Sequence, residues 1–231
     1  MLLGKSGVER LIASRVAIFG IGGVGGHTAE ALARAGVGEL LLVDSDTVSL
    51  SNINRQIFAV RSTVGMYKTD AARERLKDIN PDIKVGCVNL FFTPGCEGVP
   101  DLSGFDYIVD AIDSVSSKVE LAVIAERLGI PIISAMGAGN KLDPTAFRVT
   151  DISKTEVCPL ARAVRLALRR RGINHLKAVW SPEKPIGALT DSEDQKADGK
   201  RAPGSLSFVP SVMGLIIAGE VIKDLSGVSV R

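Results

Sequence analysis

The sequence predicts an α/β fold: a mostly parallel sheet with helices on both faces, extended by antiparallel strands in the C-terminal half. Three observations carry this expectation. Short apolar runs alternate with segments whose apolar residues recur at helical spacing, the signature of strand–helix–strand units. A glycine-rich turn, Gly20-Ile21-Gly22-Gly23-Val24-Gly25, follows the first apolar run directly. Acids stand at the ends of two further runs, Asp44 after one and Asp110 and Asp113 after another. In such sheets ligands bind past the carboxyl ends of the strands.

The elements follow in order. Residues 7–13 form a short helix leading into a strand at 15–19. Residues 23–35 are apolar at helical spacing and stop at Gly36, a helix end. The second strand is 39–43. Residues 64–79 read as an amphipathic helix ended by Asn80-Pro81. Strands follow at 83–89 and 107–112, then a helix at 117–128 and a fifth strand at 130–135. The second half differs. Residues 147–152 form a strand, 159–171 a basic helix and 177–181 a short strand. Residues 191–204 carry almost no apolar side chain and predict an exposed, mobile loop. Residues 208–222 are the most apolar stretch. Pro210 and Glu220 interrupt it, and it falls short of the ~20 residues a bilayer span needs. It reads as a buried helix, with no membrane partner. No linker divides the chain, so residues 1–231 form one domain, with a nucleotide-binding half (1–140) and a substrate-facing half (141–231).

The 231 residues are 45% hydrophobic, enough core for one such domain. The formal net charge is only +2, so any nucleic-acid contact must come from local patches. The three cysteines, Cys87, Cys96 and Cys158, form no C-x-x-C pair. That count fits a reducing cytoplasm and argues against a disulfide framework or a structural zinc. The N-terminus has no charged-then-apolar signal pattern.

The chemistry concentrates between residues 20 and 113. Gly20, Gly22 and Gly25 match the G-x-G-x-x-G pattern, for a tight turn, a close backbone approach to phosphate and helix-on-strand packing. Gly23 and the amides at the start of the next helix then face an anion. Asp44 ends the second strand, where a carboxylate accepts from ribose hydroxyls. This much is Rossmann-like. The string Ser51-Asn52-Ile53-Asn54-Arg55-Gln56 adds a guanidinium beside the glycine turn, which suits the phosphates of ATP better than a nicotinamide. The bland alternative for Asn52, Arg55 and Gln56 is a solvated helix start. Lys68 would act as a point charge on the phosphates, or be an ordinary surface lysine. Asp113 would hold Mg2+ beside the triphosphate. Asp110 is expected to bond a local turn, and Asp46 to be a turn residue.

Together these strings resemble the ubiquitin-activating-like adenylating enzymes: G-I-G-G-V-G, V-D-S-D-T-V, S-N-I-N-R-Q, V-G-x-x-K and D-A-I-D-S. Within that superfamily the chain looks most like the tRNA threonylcarbamoyladenosine dehydratases. The carrying residues are Ala29 to Gly38, Asp110 to Val115, Gly137-Ala138-Gly139, Asp143-Pro144-Thr145 and Val149 to Thr155. The resemblance implies ATP and Mg2+, adenylation of a carboxylate, a homodimer and a tRNA substrate whose modified adenosine is closed into a ring. It puts Asp44 on the ribose, Arg55 and Lys68 on the phosphates, and Asp113 on the metal or the reacting centre. The alternative is adenylation of the C-terminus of a ubiquitin-like or sulfur-carrier protein; a third, non-catalytic reading is a nucleotide-dependent scaffold for a sulfur-transfer or tRNA-modifying protein partner.

Two departures stand out. Relatives carry an N-terminal segment, often with an arginine that reaches the partner's nucleotide. This chain starts within that region, so Arg10 or Arg15 is the expected substitute. Some relatives also carry a cysteine before the last helix, where this chain has Lys200-Arg201-Ala202-Pro203-Gly204. A substrate that cyclises supplies its own nucleophile, so no cysteine is needed there. Cys158 is expected to be a small buried residue. Arg162, Arg165 and Arg169 share one helix face, with Lys177, Lys196, Lys200 and Arg201 further on. That face is either solvated surface or a contact for a phosphate backbone. Trp180 and Phe208 are expected in the core rather than stacked on a base. His27 and His175 have no assigned role.

Overall fold

Helix α1 (Gly4–Ala13) leads into β1 (Arg15–Phe19), followed by α2 (Gly25–Arg34), β2 (Glu39–Val43), α3 (Lys68–Ile79), β3 (Lys84–Val88), β4 (Tyr107–Asp110), α4 (Val115–Leu128) and β5 (Ile132–Ala135). The second half supplies β6 (Arg148–Asp151), α5 (Pro159–Arg170), β7 (Lys177–Trp180) and α6 (Phe208–Ser226). The computed structural model describes residues 2–186 and 204–228. The loop expected at 191–204 therefore lies, apart from Gly204, outside the described residues, as do Lys196, Lys200 and Arg201.

The strands form one seven-stranded sheet in the order β3-β2-β1-β4-β5-β7-β6. The pairs from β3 through to β7 are all parallel, and only β6 runs antiparallel, against β7. The antiparallel extension is thus a single strand. The strand order reverses at β1, which has β2 on one side and β4 on the other. A crevice opens there at the carboxyl ends of both strands.

Alternation along β1 and β2 divides the core. Val16, Ile18, Leu40 and Leu42 pack with buried residues of α1, α2, α3 and α6 on one face. Ala17, Phe19, Leu41 and Val43 pack with Phe92, Phe105 and α4 on the other. Each fully buried Leu or Ile contributes ~1.5–3 kcal/mol. A third cluster joins α4 and α5 around Trp180. Trp180 is buried as expected, and its Nε1 donates to Thr150 Oγ1 at 2.8 Å. Cys158 is buried as well, but Phe208, also expected in the core, is exposed. It starts α6, and the buried face of that helix runs through Val209, Met213 and Ile217 instead.

The start of one helix departs from its expected bound in an informative way. Helix α3 starts at Lys68, not at residue 64. Gly65 lies at φ +91°, and an isolated bridge pairs Tyr67 with Thr47, so the chain is still extended there. Helix α6 crosses α2 closely at Gly214, where a Cβ would strike the Val24 carbonyl oxygen. Thr28 Oγ1 donates to the Gly214 carbonyl at 3.0 Å within that crossing. Among the described residues no helix is long and apolar enough to cross a membrane.

Candidate active site

The turn after β1 is shaped by contact. Gly20 sits at φ +89°, and a Cβ there would lie 2.7 Å from the Ala111 carbonyl oxygen. A Cβ on Gly25 would strike the Gly20 carbonyl itself, so Gly25 packs beneath the turn and does not line the crevice. A Cβ on Gly22 would meet only Gln56 Nε2, at an ordinary contact distance of 3.8 Å. Helix α2 then begins with no acidic residue and no side-chain cap in its first turn. A helix start of this kind attracts anions, although the Gly26 amide already donates to the Gly22 carbonyl at 3.0 Å.

Asp44 braces this turn. Its Oδ2 accepts from the Ile21 amide at 2.6 Å and its Oδ1 from the Asp46 amide at 2.9 Å. A carboxylate has lone pairs left for a ribose after both bonds. Lys68 is not a surface lysine: it is 7% exposed, and its ammonium lies 2.6 Å from Asp46 Oδ2. Asp46, read as a turn residue, is therefore its counter-ion. Asn52 Oδ1 accepts from the Ser49 amide at 3.2 Å, closing a capped turn that carries Arg55. Arg55 Nη1 donates to the Ser51 carbonyl at 3.0 Å and to Asn54 Oδ1 at 2.9 Å. Gln56 is buried behind it.

Asp110 does bond its local turn, accepting from the Ile112 amide at 3.2 Å. Its larger role emerges only in the fold. It is fully buried, 3.0 Å from the equally buried Lys118 Nζ, with Ser134 Oγ bonded to both. Breaking such a pair costs about 3–5 kcal/mol, so it fixes the floor under residues 111–114. Helical spacing contains a signal for it, since Lys118 shares its face with the buried Leu121, Ala122 and Ala125.

These residues line two adjoining chambers. The first, about 380 Å³, is bounded by Gly20, Gly22, Gly23, Asp44, Asn52, Arg55, Gln56, Lys68, Phe91 and Asp113. The second, about 580 Å³, lies toward α5 and is lined by residues 135–141, Cys158, Pro159, Leu160 and Pro210 among others. Gly23, Arg55, Ala111, Ile112 and Asp113 belong to both. Apart from Gly25, every residue singled out in the sequence for nucleotide binding meets here. Sequence reasoning misses Phe91 and Lys141. Lys141 is 4% exposed, lines the second chamber and donates to the Glu183 carbonyl.

Among the described residues no cluster of three or more His, Cys, Asp or Glu could hold a metal alone. A single carboxylate at Asp113 fits a magnesium ion that arrives with phosphates, which together with waters would supply its other oxygen ligands.

Arg10 and Arg15, expected to reach toward a partner's nucleotide, line neither chamber of their own chain. Arg10 bonds the Ser226 carbonyl, and Arg15 bonds Gly104 and Glu39 at the amino ends of the strands, the side away from the crevice. Arg165 is not part of a free basic face. Its guanidinium donates to Ile152 and Thr155, at 3.3 Å and 2.9 Å on their carbonyls, and clamps the turn before α5. Lys177 is paired with Glu220 at 2.9 Å and Asp224 at 2.8 Å. Arg162 and Arg169 remain exposed on α5.

Known proteins resemble this chain over nearly its whole length. The ThiF family model matches residues 1–231. The tRNA threonylcarbamoyladenosine dehydratase of Bacillus subtilis (strain 168) is 44% identical over 233 residues, covering 97% of this chain and 92% of that protein. The crystal structure of the Escherichia coli tRNA N6-threonylcarbamoyladenosine dehydratase TcdA in complex with ATP superimposes with a TM-score of 0.84 at 32% identity, over 97% of this chain and 90% of that one. The same E. coli enzyme in complex with AMP gives 0.85 at 33% identity, with equal coverage.

Proposed function

Since the chain belongs to the ThiF family, we propose that it is an ATP-dependent tRNA threonylcarbamoyladenosine dehydratase, acting through an acyl-adenylate. The observation that carries this reading is the pair of chambers meeting at Arg55 and Asp113. One has the charge pattern of a triphosphate site. The other is a separate space for the group to be activated. The names of the relatives supply the substrate.

ATP would occupy the first chamber, with its ribose on Asp44 and its phosphates along Gly22, Gly23 and the first amides of α2. Asn52, Arg55, Gln56 and Lys68 would surround the phosphate chain. Lys68 would exchange Asp46 for a phosphate oxygen. The threonylcarbamoyl group would enter the second chamber. Its carboxylate oxygen attacks the α-phosphorus of ATP, and pyrophosphate leaves. The carbamoyl group then attacks the activated carbonyl carbon and expels AMP, which closes the ring with net loss of water. Arg55 and Lys68 stabilise charge building on the phosphates. A magnesium ion held by Asp113 would neutralise the leaving pyrophosphate. Orientation does much of the rest, because both ends of the closing ring belong to one substrate.

No thiol is required. Burial pushes the Cys87 thiol up, away from the reactive thiolate. We read the whole chain as one adenylating domain, working on tRNA in the cytoplasm. The exposed apolar residues Leu50, Ile53, Val60, Val64 and Tyr67, with Phe208 and Leu215 on α6, are the face we assign to a homodimer.

The test is to incubate the protein with ATP and tRNA bearing threonylcarbamoyladenosine and to analyse the nucleosides by mass spectrometry. The modified nucleoside should lose one water as AMP appears. An unchanged nucleoside, together with adenylation of a Gly-Gly-tailed carrier protein, would overturn the reading in favour of carrier activation.

A further inference from the structure

We infer that Phe91 is the stacking platform for the purine base of the nucleotide. Single exposed apolar side chains are common on protein surfaces and need no explanation. Phe91 differs in its mounting. It lines the first chamber while 70% exposed. The chain is anchored before and after it, at Asn89 and Phe92. Asn89 Oδ1 accepts from Thr69 Oγ1 of α3. The Phe92 carbonyl accepts from Ser117 Oγ of α4 at 2.7 Å, and both groups are buried. The Phe92 ring packs edge-on against Phe19, with centroids 5.1 Å apart. Held between two helices, the segment has little freedom to withdraw Phe91 into the core. Its own neighbour already fills that space.

The position fits a base and not a phosphate. Of the phosphate-facing groups, Gly22 lies in the glycine turn, Arg55 packs beside Gly23, and Lys68 opens α3 against Asp46. Asp44 ends β2, and the next strand outward is β3, from which Phe91 follows. A nucleotide with its ribose on Asp44 and its phosphates at the turn extends its base toward that outer edge. A planar aromatic ring presented there matches a purine face, and base–aromatic stacking carries enough energy to matter. The inference rests on ATP occupying the first chamber.

The test compares ATP with inorganic triphosphate, which has the phosphates and no base. Phe91→Ala should raise the KM for ATP roughly 10-fold. It should leave kcat, the KM for tRNA and the inhibition constant of triphosphate unchanged. Phe91→Leu should behave like Phe91→Ala, and Phe91→Trp should restore the wild-type KM. In that last variant, emission from the introduced indole should be quenched by ATP and not by triphosphate. The chain has one native tryptophan, Trp180, which is buried and gives a constant background. An unchanged KM for ATP in Phe91→Ala, or equal weakening of ATP and triphosphate, overturns the stacking role. Calorimetry showing no ATP binding to the unmodified protein overturns the nucleotide reading and this inference with it.

Discussion

Asp113 stands where the two chambers meet, and its chemistry separates binding from turnover. A carboxylate that acts on charge developing at phosphorus contributes more to the transition state than to ground-state affinity. Asp113→Asn should therefore lower kcat by ~100-fold or more. Its Kd for ATP, read by calorimetry, should stay close to that of the unmodified protein. A parallel loss of affinity and rate would make Asp113 a binding residue. At this scale the sequence is legible where residue type and spacing speak together. Gly22, Asp44 and Arg55 come together as their spacing foretells. Lys68 is legible as a cation, while its burial against Asp46 is not, because nothing local forces the two together. Phe91 and the Lys118–Asp110 pair depend on which helices flank a loop or a strand end. That is a tertiary fact, visible in the sequence only as a shared helix face in the case of Lys118.

At the scale of elements, α5 shows how a charge pattern divides between structure and surface. Its apolar side, Ala161, Val164 and Leu168, is buried, and helical spacing assigns three arginines to the opposite face. One of them, Arg165, turns inward to the carbonyls of Ile152 and Thr155. Periodicity counts residues per turn and cannot register a long side chain folding back onto a neighbouring turn. Of those three, Arg162 and Arg169 stay exposed and are the candidates for a tRNA backbone. The double variant Arg162→Glu/Arg169→Glu should weaken tRNA binding and make the log–log salt dependence shallower by about 2. ATP affinity should hold. Arg165→Ala should leave that slope alone and lower stability by ~1–3 kcal/mol, since it removes the donor to the Thr155 carbonyl, while the Ile152 carbonyl keeps the Thr155 amide and hydroxyl. Filter binding across a salt series and chemical denaturation separate the two effects. Normal tRNA binding by the double variant would make the face mere solvated surface. The same limit explains α3, whose start periodicity misplaces because Tyr67 pairs with a distant residue, Thr47.

At the scale of the whole molecule, the sheet order places the two chambers. The reversal at β1 opens the crevice, β2 and β3 carry the nucleotide side outward, and β5 with α5 builds the second chamber on the other flank. The parallel core is readable from alternating strands and helices. The second chamber is not, since its walls come from residues 135–141, the start of α5 and Pro210, which no local motif connects. The arrangement makes one chemical claim, that a substrate carboxylate in the second chamber attacks the α-phosphorus of ATP in the first. Oxygen-18 placed in the carboxylate of the threonylcarbamoyl group tests it most directly. Phosphorus NMR and mass spectrometry of the nucleotide products should find one labelled oxygen in the phosphate of AMP, with unlabelled pyrophosphate. Label in inorganic phosphate, with ADP as the nucleotide product, would place the attack on the γ-phosphorus and contradict the account.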